Sequence, residues 1–114
     1  MTKETITISD FNKVETAVGR IIHAEKNKKA RKPAYALQID FGETYGTKWS
    51  SAQLCENYQH EDLIDTQIIA VMNFSPMRIA GVKSEVLVLA IVCSEHGTVL
   101  VRPDKPVKAG ERLA

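Results

Sequence analysis

The chain has 114 residues, 44% of them hydrophobic, which predicts a single domain over 1–114 with one core. Fifteen Lys and Arg against fourteen Asp and Glu leave a net charge of only +1, so any attraction for a polyanion must come from uneven placement of charge. The longest apolar run, Val86 to Cys93, is far too short to cross a bilayer and the start of the chain is polar, so the expected location is the cytoplasm.

Ser9 is the expected N-cap of a short helical turn through Phe11 and Val14. A first strand follows from Ala17 to Glu25, with Gly19 as a bulge or a close-approach site. Lys26, Lys28, Lys29, Arg31 and Lys32 then fall within seven residues with no acid among them; alone, such a run reads as a solvated loop. In the second strand, Tyr35 to Phe41, the residues Tyr35, Leu37, Ile39 and Phe41 share one face. Gly42 and Gly46 bracket a turn into a weaker third strand, Thr47 to Ser51. Ala52 to about Asp62 reads as a short helix or helical turns. Two further strands are predicted at Gln67–Asn73 and Glu85–Val92, and a turn at residues 94–97 leads into an added hairpin from Thr98. Pro103 and Pro106 end regular pairing.

Between the fourth and fifth strands, the run from Asn73 to Glu85 sets cations, hydroxyls and an amide between two apolar segments. Pro76 cannot donate to a sheet ladder and Gly81 supplies free backbone geometry, so the chain must turn there. Three strands, a helical segment and two strands is the order of an OB-fold: an all-β class with short helices, built as a five-stranded Greek-key barrel. In that fold the loops between strands one and two and between strands four and five flank the binding face. Here these are Lys26–Pro33 and Phe74–Ser84, and both carry cations, which favours an anionic polymer as ligand.

Three stretches resemble the tRNA-binding-domain family: Ala30-Arg31-x-Pro33-Ala34-Tyr35, Gly46-Thr47-Lys48-Trp49-Ser50-Ser51-Ala52-Gln53, and Asn73 to Leu89. Members occur as stand-alone proteins and as C-terminal appendages of methionyl-tRNA synthetases. The similarity runs from about Phe11 to the tail. It implies an OB-fold homodimer that binds tRNA through its elbow or outer corner; stand-alone members are also described as chaperones with peptide affinity, linked to protein export. Carried onto this chain, the RNA-binding face holds Lys48, Ser50, Ser51 and Gln53 on the third strand, with Asn73, Arg78, Lys83, Ser84 and Glu85 opposite and Arg31 from the basic loop. Ser75 stands where many relatives have a second proline, and Met77 replaces a residue that is often basic.

The residue types suit that task. Arg78 can fork onto a phosphate, Lys48 and Lys83 act as point charges, and the hydroxyls and amides can meet ribose 2′-OH groups. Glu85 is the odd member: it either orients Lys83 or Arg78, accepts from a base amino group or 2′-OH, or is an ordinary strand-end charge. Trp49 and Tyr45 can stack on a base or pack at an interface. Cys55 and Cys93 lie outside any Cys/His cluster, so neither a zinc site nor a disulfide is expected, and the chain calls for no cofactor. His23, His60 and His96 stand apart from any nucleophile motif, so no enzyme is expected. The alternative is a holdase that binds unfolded or extended polypeptides in the same dimeric groove, using Met77, Ile79 and Val82, which otherwise serve dimer burial.

Overall fold

The computed structural model describes residues 2–114. The first element is a single helical turn, α1 (Ile8–Phe11), capped by Thr7 rather than Ser9. The Thr7 hydroxyl accepts from the Asp10 N–H at 3.2 Å and the Asp10 carboxylate accepts from the Thr7 N–H at 3.1 Å. This reciprocal box needs a carboxylate three residues after the cap, which Thr7 has and Ser9 lacks.

The strand β1 (Thr16–Lys26) is long because it serves two partners, both antiparallel. Thr16–Arg20 pairs with β4 (Gln67–Val71), and Arg20–Lys26 pairs with β2 (Tyr35–Asp40). A register shift between Ile21 and His23 bends the strand from one partner to the other. Gly19 takes the second of its two expected roles: a Cβ there would lie 2.6 Å from the side chains of Ile39 and Phe41. Tyr35, Leu37, Ile39 and Phe41 share the buried face as predicted, and they pack with Ile21, Leu54, Leu63 and Ile68.

With β3 (Thr47–Ala52) beside β2 and β7 (Leu87–Val88) beside β4, the sheet order is β3-β2-β1-β4-β7. The ends of this sheet meet. The Glu85 N–H donates to the Trp49 carbonyl at 2.9 Å, and the Ser50 hydroxyl donates to the Val86 carbonyl at 2.8 Å. The result is a nearly closed five-strand antiparallel barrel of OB type with extra hairpins. The tail adds a strap: Gly110 N–H donates to the Val18 carbonyl and Val18 N–H to the Glu111 carbonyl, both at 2.8 Å. Among the described residues no helix is long and apolar enough to cross a membrane.

Three segments depart from the sequence expectation. Only α2 (His60–Leu63) is helical within Ala52–Asp62, and Ala52 itself ends β3. Tertiary bonds hold the rest in turns: the Asn57 amide donates to the carbonyls of His96 and Thr98, at 2.6 and 2.8 Å, and the Tyr58 carbonyl accepts from the Tyr35 hydroxyl at 2.7 Å. The predicted strand Glu85–Val92 is split at Leu89. After β7 the chain leaves the main sheet, and β8 (Ala90–Cys93) pairs with β9 (Gly97–Leu100) as the added hairpin. Leu89 serves both sides of the break, donating to Ile69 and accepting from Val101. Finally, the loop Phe74–Ser84 contains a hairpin of its own, β5 (Met77–Ile79) and β6 (Val82–Ser84). Its turn, Ala80-Gly81, has φ of 48° and 85°, the left-handed pair that a two-residue type I′ connection requires.

Candidate nucleic-acid interface

The hairpin brings the two cation-bearing loops together. The aliphatic stem of Lys29, in the β1–β2 loop, lies 3.3 Å from where a Cβ on Gly81 would sit, so a glycine at the turn admits the approach. On one side of this contact Arg31, Ser51, Gln53, Ile79 and Ala80 line a groove of about 360 Å³. On the other, Glu25, Lys26, Lys28, Lys29, Gly81 and Val82 line one of about 350 Å³. The Arg78 guanidinium donates to the Gly81 carbonyl at 3.1 Å, folding back over its own turn.

Cations outnumber carboxylates around the two loops. Lys83 approaches Glu85 at 4.0 Å, the limit of an ion pair. Among the described residues, Lys26, Lys28, Lys29, Arg31, Lys32, Lys48 and Arg78 form no ion pair with a carboxylate; the pairs present involve Lys13, Lys83 and the three histidines. A net charge of +1 thus hides a locally positive face.

Register sorts the β3 residues. Lys48 and Ser50 lie opposite Ile39 and Leu37 and so share the inward face, whereas Trp49 and Ser51 point outward. Lys48 is half-buried. Ser50 is 1% exposed and its hydroxyl donates to the Val86 carbonyl at 2.8 Å, with Ser84 3.4 Å away. Ser84 belongs to the same seam. Asn73 is likewise engaged: its amide donates to the Lys13 carbonyl at 2.7 Å and accepts from the Glu15 N–H at 3.0 Å, tying the segment after α1 to the end of β4. Glu85 accepts from the Trp49 N–H at 2.9 Å. Arg31, Gln53, Arg78 and Lys83 are exposed.

Three residues outside the expected set also belong to this surface. Lys29 lies within the basic run, but its contact with Gly81 depends on a hairpin that sequence alone does not reveal. His23 and Gln38 lie in the cross-strand row of Trp49, and the His23 and Trp49 rings meet edge to face with centroids 6.1 Å apart. Below the hairpin, an apolar groove of about 260 Å³ is lined by Phe74, Met77, Ile79, Val86 and Leu87, with Phe74 58% and Met77 64% exposed. Tyr45 lies elsewhere, with its hydroxyl donating to Glu15 at 2.7 Å.

An OB-type barrel carrying such a face is a binding module, made to hold a ligand between its loops. Residues 16–112 match the family model described as "Putative tRNA binding domain", and the chain belongs to that family. It is 36% identical to a methionine–tRNA ligase of Methanococcoides burtonii over 108 residues, which are 95% of this chain but 16% of that protein. The chain thus spans about one sixth of that relative's length. Among solved structures it is similar to the chaperone CsaA of Bacillus anthracis, with TM-score 0.90 and 45% identity over 97% of this chain and 100% of that one. The CsaA chaperone protein of Picrophilus torridus gives TM-score 0.90 and 44% identity over 96% and 100%. The family is a binding module rather than a catalytic domain.

Proposed function

We propose that the protein binds tRNA, gripping its backbone with the cations of the β1–β2 loop and the β5–β6 hairpin. The observation that carries this reading is the approach of Lys29 to Gly81, which gathers cations from two distant segments around one pair of grooves. Arg31, Arg78 and Lys83 act on phosphates, with Lys48 as a further cation on β3; Ser51 and Gln53 meet ribose or base edges. Ser50, Ser84 and Glu85 shape this surface from beneath, whereas Asn73 holds the segment after α1 against the end of β4.

The apolar groove favours a second element of the reading. Phe74, Met77, Ile79 and Leu87 form a patch that a second copy of the chain would cover, giving a homodimer. The same groove supports the alternative, a holdase that takes extended, unfolded or pre-export polypeptides.

Titration with tRNA at several salt concentrations, beside single-stranded DNA and an unfolded client protein, separates these readings. tRNA affinity is expected to fall linearly on a log–log plot against salt, and Arg78→Ala or Lys83→Ala to weaken it with the fold intact. Salt-insensitive binding of the client alone overturns the RNA reading. A concentration-independent monomer in sedimentation overturns the dimer.

A further inference from the structure

We infer that the Trp49 indole is a platform on which one unpaired base of the bound RNA stacks, with the His23 ring set edge to face against it and the Gln38 amide at the base edge; this rests on the RNA reading above. The pairing of β1, β2 and β3 sets His23 opposite Gln38 and Gln38 opposite Trp49, so the three side chains stand in one row on the outer face of the sheet. The two rings meet at 78°, and the His23 side chain is 50% exposed. The Glu25 carboxylate, 3.4 Å from His23 Nε2, steadies the imidazole. Trp49 and Gln38 are both half-buried, and neither the indole N–H nor the Gln38 amide has a protein partner among the described residues.

Continuity with the cationic grooves points to a nucleobase as the occupant. Ser51 lies two residues beyond Trp49 on the same outward face and lines the groove that holds Arg31 and Gln53. At the rise of a β-strand the two positions are about 7 Å apart. An RNA strand with a phosphate in that groove is thus within reach of setting a neighbouring base over the indole. The row itself is aromatic and amide, which suits a flat, uncharged ring with polar edges; stacking of this kind tolerates any base because every base has a π-face.

Trp49 is the only tryptophan in the chain, so its emission reports on the platform without any substitution. Wild-type protein is titrated with a tRNA transcript and with a blunt, fully paired RNA duplex, while binding is followed independently by filter retention. Quenching that saturates together with tRNA binding, and is absent at saturation with the duplex, is expected. Trp49→Ala should weaken tRNA binding about tenfold, while Trp49→Phe, which keeps a ring, loses much less. The Trp49 backbone bonds to Glu85 do not depend on the side chain, so both variants should fold.

Bound tRNA that leaves the emission unchanged overturns the platform and spares the RNA reading. Equal quenching by the duplex or an unaltered Trp49→Ala affinity does the same. So does a changed oligomeric state in that variant, which would place the indole at a subunit interface. No retention of tRNA at any salt removes the RNA reading and the platform together.

Discussion

Glu85 grips the Trp49 backbone on both sides of its Cα: the Glu85 N–H donates to the Trp49 carbonyl and the Glu85 carboxylate accepts from the Trp49 N–H, each at 2.9 Å. This is the seam where the segment before β7 meets the free edge of β3. An open edge is a row of unpaired donors and acceptors, and here a side chain finishes what backbone pairing leaves undone. Glu85→Ala strands the Trp49 N–H and should cost about 1–3 kcal/mol in denaturant unfolding. Glu85→Gln retains an acceptor and should cost less. The two variants also separate framework from ligand contact: tRNA affinity of Glu85→Gln should hold or rise, since a carboxylate near phosphates is removed. A marked fall, with stability kept, would mean that the carboxylate touches RNA.

Gly19 controls how closely β1 lies over the second strand's apolar row. Its missing side chain is filled by Ile39 and Phe41, both fully buried, so neither can retreat to solvent. Gly19→Ala should therefore destabilise by about 1–3 kcal/mol through overpacking, despite alanine's lower conformational cost in the unfolded chain. Equilibrium urea unfolding measures it; a stability equal to wild type would mean that the barrel relaxes around the added methyl.

The strands were legible wherever one chemistry dominated. Alternation of Tyr35, Leu37, Ile39 and Phe41 dictated the face of β2, and the apolar run Ile68–Met72 marked the strand expected at Gln67–Asn73, observed at Gln67–Val71 and buried throughout. Legibility failed where distant partners decide local structure. Asn57 pulls its segment out of a helix by bonding to the His96 and Thr98 carbonyls, about forty residues away in sequence. Ser50 and Ser51 look alike in sequence, but register sends one hydroxyl inward to Val86 and leaves the other outward. The polar run from Asn73 to Glu85 was readable as a turn-bearing segment, yet the hairpin inside it depends on Ala80 taking a left-handed conformation that its identity does not advertise. Cations were visible by composition, and their convergence was not.

Lys29 offers a quantitative check on that convergence. Its ammonium lies beside the hairpin turn with no carboxylate partner, and the residue is exposed. Lys29→Ala should leave stability within about 0.5 kcal/mol, as for other exposed positions. If the ammonium meets one phosphate, the slope of log affinity for tRNA against log salt should shrink in magnitude by about 0.7–0.9. Lys3→Ala, at an exposed cation outside both loops, serves as the control and should leave the slope unchanged. Equal slopes for wild type and Lys29→Ala would remove Lys29 from the interface.

Two tyrosines should make the fold sensitive to alkali. The hydrogen bond to Glu15, reinforced by partial burial and by the nearby negative charge, raises the Tyr45 phenol above its ordinary value of 10.0. Burial, then Cys55, raises that of Tyr35, whose hydroxyl donates to the Tyr58 carbonyl. In both cases the folded state prefers the protonated form. The stabilisation is therefore complete below the ordinary tyrosine value and is lost as pH rises through the raised one. Denaturation midpoints followed upward from neutral pH should drop on the alkaline side. Tyr45→Phe should lower the neutral-pH midpoint and flatten part of that drop, because the lost hydrogen bond no longer has a proton to lose. A Tyr45→Phe curve parallel to wild type throughout the alkaline range would show that the Glu15 contact contributes nothing to it.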